Sequence, residues 1–433
     1  MPIIDMSYSV CLEWFEDWIS ADPPVLVDTY DLSRWMDEEM NEATKLFIDQ
    51  VCRSKQKKQD AFMILRAIYY EYALFQQTLA IKQLCANPAS VLRLKQLPQS
   101  AQKSAQWHNE SLELLTGHEF GTVCYGSPNG RLGVIQKKCG TPVVVSPTDS
   151  HIQSQSVFTY SEDGKLSPFK WGWRFEPVVR DVYARCIAEG TVDDTLGRIR
   201  HPTLPRLAAS PDGVIVDGPR AGWLVEIKSP ITRELTGVIP DEYYCQMQLQ
   251  AEVCDVEAVD YIEMRFTAIL LKPGAELPSY SALMAAKNPW MGKICVLAKR
   301  PKEEGADLDP LTYTYSYSEL YPSTEAGFKD ACAWVAPLAD DQVCIEESIW
   351  YVHDYFTKTV PRNRRWWAEV GYVAYVEFWR DVETARKNGT FAEKALFVDS
   401  TTTSDTSSGS ESVEEPARAG MEWEGVTSDS SKY

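Results

Sequence analysis

The stretch Ser210-Pro211-Asp212-Gly213-Val214-Ile215-Val216-Asp217-Gly218-Pro219-Arg220-Ala221-Gly222-Trp223-Leu224-Val225-Glu226-Ile227-Lys228 decides the fold of this chain. Val214-Ile215-Val216 and Trp223-Leu224-Val225-Glu226-Ile227 are short apolar runs on either side of an Asp217-Gly218-Pro219 turn, so the stretch reads as a β-hairpin. Strand alternation puts Glu226 and Lys228 on one face and Val225 and Ile227 on the other. The second strand is apolar except at those two charges. Charged groups on a largely buried strand are costly unless paired or metal-bound, which marks the pair as functional. Asp212 enters at the start of the neighbouring strand, where Gly213 relaxes the backbone and Pro211 fixes the approach, so three groups converge at one end of the hairpin.

Outward from the hairpin, Pro240 and Asp241 open a helix predicted to run to about Cys254, and Tyr261 to Leu271 follows as a longer strand. The middle of the chain, residues 99–290, is therefore expected to be an α/β domain with a mixed central sheet flanked by helices. Residues 1–98 form a predicted helical extension: apolar residues recur at helical spacing from about Ser33 to Leu97, with a break at Asn87-Pro88. Residues 291–398 are expected to be an α/β extension packing on the core, with strands at Ile294–Ala298 and Thr312–Tyr317 and an aromatic-rich stretch from Ile349 to Val382. Residues 399–433 are Ser/Thr/Glu-rich and are expected to be a disordered acidic tail.

Composition is that of a soluble globular protein, and no long apolar run or basic leader is present, so an intracellular, non-membrane protein is expected, in the nucleus or cytoplasm of the host if it is viral. The 11 cysteines are odd in number and never spaced Cys-x-x-Cys, which argues against a disulfide framework and a zinc site. The 5 histidines fall in no ligand spacing. The net charge of −19 argues against avid coating of nucleic acid, but the tail holds 8 acidic and 2 basic residues of that total, leaving a nuclease cleft permissible.

Two carboxylates and a lysine in this arrangement suit phosphodiester hydrolysis with a hard cation. Asp212 and Glu226 are the expected metal ligands, with the Ile227 carbonyl as a third oxygen. Lys228 is expected to position or help deprotonate the attacking water. A turn aspartate and a solvated Glu/Lys pair are the ordinary alternative.

Four blocks carry a resemblance to the PD-(D/E)XK nuclease superfamily, and within it to the lambda-exonuclease-like, YqaJ-type viral recombinases of phages and large DNA viruses. They are Trp171-Gly172-Trp173-Arg174-Phe175-Glu176-Pro177 with Arg180, Ser210 to Gly213, Val225 to Pro230, and Tyr243-Tyr244-Cys245-Gln246-Met247-Gln248-Leu249-Gln250. The resemblance implies a restriction-endonuclease-like core, one or two Mg²⁺ or Mn²⁺ ions, Glu176 as a further metal ligand, and Gln246 and Gln248 beside the catalytic groups. It further implies a 5′-to-3′ exonuclease acting on linear duplex DNA, leaving a single-stranded product, in viral or phage recombination or genome processing, beside a single-strand annealing protein. A structure-selective endonuclease, a dual DNA/RNA nuclease and a non-catalytic nucleic-acid-binding protein stand as alternatives. Arg180, Ser210, Tyr244 and His118 are the implied substrate contacts, joined by Arg364 and Arg365 in a C-terminal Arg/Trp block. Ser111 and Leu114 stand where the family has arginines that help to hold a terminal 5′-phosphate, and His118 where it has a serine.

Overall fold

A computed structural model describes residues 8–21, 26–35, 40–52, 54–102, 104–140, 168–271, 280, 290–301, 308 and 313–391. Its strands are β1 (Gln99–Ser100), β2 (Leu115–Thr116), β3 (Val192–Asp193), β4 (Arg198–Arg200), β5 (Leu207–Ala209) and β6 (Gly213–Ile215). They continue with β7 (Leu224–Lys228), β8 (Ala258–Leu271), β9 (Trp290–Lys299), β10 (Thr314–Tyr317), β11 (Tyr321–Pro322) and β12 (Gln342–Pro361). The large sheet runs β10-β9-β12-β8-β7-β6-β3 with β11 against β9, and a small one runs β1-β4-β5-β2.

The hairpin forms between β6 and β7, antiparallel, with Gly213 opposite Val225. β7 and β8 are parallel, and such a pair cannot be joined by a tight turn. The Asp241–Cys254 helix makes the crossover; it opens on Asp241 and Glu242, which suit the positive end of a helix, and stops at left-handed Asp255. The sheet is mixed and covered on both faces. Leu224, Val259 and Tyr261 pack with Met247, Leu249, Phe120 and Phe378. Val225, Ile227, Ile262 and Met264 pack with Phe175, Val178 and Val182 of the Pro168–Tyr183 helix. The alternation of β7 thus feeds two separate cores, and Glu226 shares the face of the crossover helix.

That helix sits close to the Gly117–Tyr125 helix because two glycines let it. A Cβ at Gly117 would lie 2.8 Å from Gln246 Cγ, and one at Gly121 2.6 Å from the Glu242 Cα. The Gly117–Tyr125 helix is tied to the Pro128–Cys139 helix by a buried ion pair. Lys138 donates to Glu119 Oε2 at 2.6 Å and to the carbonyls of Ser111 and Leu114 at 2.6 and 2.9 Å. Burial pushes the Glu119 carboxyl up, but Lys138 and Lys137 more than offset it and hold the group below its ordinary range. A lowered folded pKa means that this contribution is present above the unfolded carboxylate range and lost as the pH falls through the folded value. Lys138→Ala leaves a buried carboxylate without its cation and is expected to cost about 3–5 kcal/mol, read as a shift of the urea midpoint. A variant as stable as the parent would refute the assignment.

The N-terminal region is helical over Tyr8–Ala21, Thr29–Arg34, Asn41–Val51, Lys55–Gln83 and Pro88–Gln96, and Pro88 sits in the first turn of the last. The first four of these helices share an apolar cluster of their own, including Phe15, Trp35, Leu65 and Tyr69, whereas Val91 and Leu94 of the fifth pack in the core around the crossover helix. The buried Asp28 joins them to the core by accepting from the Tyr244 hydroxyl and from Asn363 Nδ2. The expected boundary at residue 290 coincides with the start of β9, which lies in the same large sheet as β8. The predicted tail, residues 399–433, lies outside the described residues. Among the described residues no helix is long and apolar enough to cross a membrane.

Candidate active site

Asp212, Glu226, Lys228 and Glu176 line one cavity of about 790 Å³, together with Ile227, Gln246, Gln250, Tyr243, His118 and Ser210. They arrive from several elements. Glu226 and Lys228 project from β7, Asp212 immediately precedes β6, Glu176 comes from the Pro168–Tyr183 helix, and the glutamines come from the crossover helix.

Glu226 has no solvent exposure, and its two oxygens are separately held. Gln250 Nε2 donates to Oε2 at 2.7 Å, and the Lys228 ammonium donates to Oε1. Lys228 Nζ lies 3.4 Å from Gln246 Oε1 and 4.6 Å from the centre of the Tyr243 ring, a cation–π contact. Burial alone would lower the Lys228 pKa, but Glu226 and Asp212 reverse this and raise it above the ordinary lysine range. The side chain is therefore a charged hydrogen-bond donor. Asp212 accepts from the Ile227 N–H at 2.8 Å. Its carboxyl is raised well above the ordinary aspartate range by burial, then by the charges of Glu226 and Glu176, against the opposing pull of Lys228 and the Ile227 N–H.

Asp212 is buried beside the charges of Glu226 and Glu176 with Lys228 as the opposing cation, and its raised carboxyl reflects that burial first and the neighbouring carboxylates second. Gln250 Oε1 is also buried without a partner among the described residues. Hard oxygen donors of this kind fit a divalent cation such as Mg²⁺ or Mn²⁺. As placed, Asp212, Glu226 and Glu176 do not gather to within 4.8 Å of one another; the group that does so among the described residues is Cys295, Cys344 and Glu347.

Five residues expected at the site have other partners and do not line this cavity. Gln248 lies on the opposite side of the helix from Gln246 and Gln250, donating to the Pro361 carbonyl at 2.9 Å and accepting from the Asn363 N–H at 2.7 Å. Tyr244 donates to Asp28. Arg180 pairs with Asp194 at 2.5 Å, Arg364 with Glu257 at 2.7 Å, and Arg365 faces Asp31 at 3.8 Å. The tryptophans beside those last arginines, Trp366 and Trp367, are buried in the core, so that block packs and its arginines sit on the surface. For Gln248 and Tyr244 the physical reason is helical phase: each lies two places from Gln246 and points away from it.

The structure also brings in residues that motif reading passed over. Gln250 was visible as the partner of Gln246 at helical spacing. Arg198, on β4, had no local signal. It is 2% exposed, yet it lines the cavity near Trp107 and Ser210. Its guanidinium stacks 4.1 Å from the Trp107 ring centre and donates to the Trp107 carbonyl, while its Nε has no partner among the described residues. Burial lowers its pKa to about 10, with Glu110 and Glu119 opposing, so it remains charged at neutral pH. Trp107 in turn donates from Nε1 to Ser210 Oγ at 3.3 Å. Lys137 lines the same cavity and pairs with Glu119.

Residues 106–257 match the model of the family described as the YqaJ-like viral recombinase domain, and over that span the resemblance carried by the motifs is borne out. A search of curated proteins returned no match. Among solved structures, the chain is similar to an alkaline exonuclease from Laribacter hongkongensis at 16% identity, covering 66% of this chain and 96% of that one, with a TM-score of 0.34. The same exonuclease in complex with dAMP is similar at 15% identity, covering 66% and 98%, with a TM-score of 0.30.

Proposed function

We propose that the chain is a metal-dependent DNA nuclease that degrades linear duplex DNA from its 5′ ends. The observation that carries this reading is the convergence of Asp212, Glu226, Glu176 and Lys228 on one cavity, within the span matched by a recombinase family. Asp212, Glu226 and Glu176 would hold one or two Mg²⁺ or Mn²⁺ ions. A cation so held supplies charge stabilisation at the phosphoryl oxygens and a water of lowered pKa.

The chain's own groups do the rest. Gln250 and Lys228 fix the two oxygens of Glu226, so that this carboxylate would meet a cation in one orientation. The Lys228 ammonium, steadied by the Tyr243 ring, donates toward an attacking water and toward the negative charge that grows on the phosphoryl group. Gln246, a neutral amide that accepts a hydrogen bond from that ammonium, would orient the water or a phosphate oxygen without competing for the cation.

End recognition is supported by Arg198. The arginines expected near Thr116 are replaced by Ser111 and Leu114, but a cationic guanidinium reaches the cavity from β4 instead, beside Ser210 and His118. Arg198→Ala is expected to reduce the preference for 5′-phosphorylated over 5′-hydroxyl ends by roughly tenfold to a hundredfold, the worth of a hydrogen bond between charged groups. Initial rates on the two linear duplexes measure it, and an unchanged ratio would dismiss this role.

The whole reading is tested with Mg²⁺ or Mn²⁺ on linear and covalently closed duplex. Release of nucleotides from linear DNA alone is expected. Cutting of the closed circle would replace the exonuclease with an endonuclease, and inertness toward every DNA and RNA substrate would leave a binding protein. A single-strand annealing protein as partner is a further expectation, tested by co-purification.

A further inference from the structure

A second cluster of ligating side chains lies in the far half of the large sheet, on β9 and β12. Cys295, Cys344 and Glu347 each offer one ligand atom, and the three atoms lie within 4.8 Å of one another. Glu347 Oε1 is 3.7 Å from Cys295 Sγ and 3.9 Å from Cys344 Sγ. With zinc–sulfur bonds near 2.3 Å and zinc–oxygen bonds near 2.0–2.2 Å, the sulfur–oxygen edge of a coordination tetrahedron is about 3.5–3.7 Å. The two observed edges come close to that length.

The convergence depends on an irregularity in the sheet. In a regular strand Cys344 and Glu347 would face opposite sides, but the register shifts between Cys344 and Glu346. The bulge sends Glu346 to one face, where it pairs with Arg174 at 2.7 Å, and brings Glu347 onto the face of Cys344, opposite Cys295. Cysteines far apart in the sequence thereby meet without any short motif.

Lys293 completes the electrostatics. Its ammonium is almost wholly buried, 3.0 Å from Glu347 Oε2 and 3.0 Å from the Trp334 carbonyl. Two thiolates, one carboxylate, this ammonium and a divalent cation sum to zero charge, which a half-buried site requires. Thiolate ligands favour zinc over magnesium, so this site is chemically separate from the oxygen-lined cavity.

We propose that Cys295, Cys344 and Glu347 bind one Zn²⁺ ion that pins β12 to β9, with the fourth position taken by water. Binding converts both thiols to thiolates and releases two protons to solvent, so affinity rises with pH. The test uses the full chain carrying Asp212→Asn, which removes a ligand from the catalytic cavity, kept reduced and stripped of metal, then titrated with Zn²⁺ and separately with Co²⁺. One tightly bound Zn²⁺ and a near-ultraviolet thiolate-to-cobalt charge-transfer band are expected. Cys344→Ser should remove at least half of the band's intensity and weaken Zn²⁺ binding by more than about a hundredfold, since loss of an outer partner alone costs ~10–100-fold. Glu347→Gln should weaken binding and keep the band, and it serves where the serine variant does not fold. Absence of the band, zinc binding unaffected by both substitutions, or a metal-free Cys295–Cys344 disulfide under these conditions would overturn the proposal.

Discussion

Asp212→Asn is expected to silence cleavage and, at the same time, to raise the thermal midpoint of the metal-free chain at neutral and alkaline pH. The two effects have one origin. Burial, Glu226 and Glu176 together hold the Asp212 carboxyl above its ordinary pKa, and Lys228 with the Ile227 N–H only partly compensates. A folded pKa above the unfolded one gives stability that is present below the unfolded value, near 4, and lost as the pH rises through the folded value. Above the unfolded value the buried aspartate therefore destabilises the fold, and does so fully once the pH has passed the folded value. Asparagine cannot ionise, and its carbonyl can still accept from Ile227. Each kcal/mol recovered is worth about 2–4 °C in a domain of 150–250 residues. Cleavage falls because a cation ligand is gone, which removes several kcal/mol of transition-state stabilisation, about a thousandfold or more in rate. Calorimetry at alkaline pH and near pH 4, with and without Mg²⁺, measures the rest. The gain should vanish in acid, and Mg²⁺ should stabilise the parent more than the variant. A variant that melts below the parent at alkaline pH would contradict the electrostatic account.

Where local chemistry settles conformation, the sequence already spoke. Asp217-Gly218-Pro219 between apolar runs left little choice but a turn, and Pro240-Asp241 opened the crossover helix at the residue where it begins. The Glu226/Lys228 pair was legible because charges on an apolar strand need a partner, and Gln250 was legible as the four-residue neighbour of Gln246. What stayed hidden depends on contacts between distant segments. β12 is 20 residues long and carries many polar side chains, so no period marked it; it exists because β8 and β9 pair with its two edges. Arg198 reaches the cavity because β4 is held against β5 and Trp107 offers its ring, neither of which a neighbour in sequence records. The arginines beside Trp366 drew attention by composition, yet the burial of Trp366 and Trp367 directs Arg364 and Arg365 to surface carboxylates. Cys295 and Cys344 meet through a register shift, which leaves no trace in spacing.

Lys228→Ala is expected to match Asp212→Asn in lost cleavage and to oppose it in stability. The ammonium is the one cation that hydrogen-bonds Glu226 among the described residues, and Glu226 is fully buried. Removing it leaves a buried carboxylate held only by Gln250, beside Asp212 and within the field of Glu176. Breaking a buried pair in this way costs about 3–5 kcal/mol. The folded pKa of Lys228 is raised, so its contribution is complete below the ordinary lysine range and lost as the pH climbs through the folded value; the deficit of the variant should therefore persist across neutral pH and narrow only in strong alkali or in acid that protonates the carboxylates. Cleavage should fall by about a hundredfold to ten-thousandfold, the range for a positioned proton donor or charge stabiliser. Mg²⁺ discriminates the causes. It should restore much of the lost stability, by neutralising the same carboxylates, and little of the lost rate, because an ion cannot also donate the hydrogen bond that positions the water. Denaturant midpoints and single-turnover rates at saturating Mg²⁺ read the two separately. Recovery of both would reduce Lys228 to a counter-charge, and recovery of neither would remove the cation from the cavity altogether.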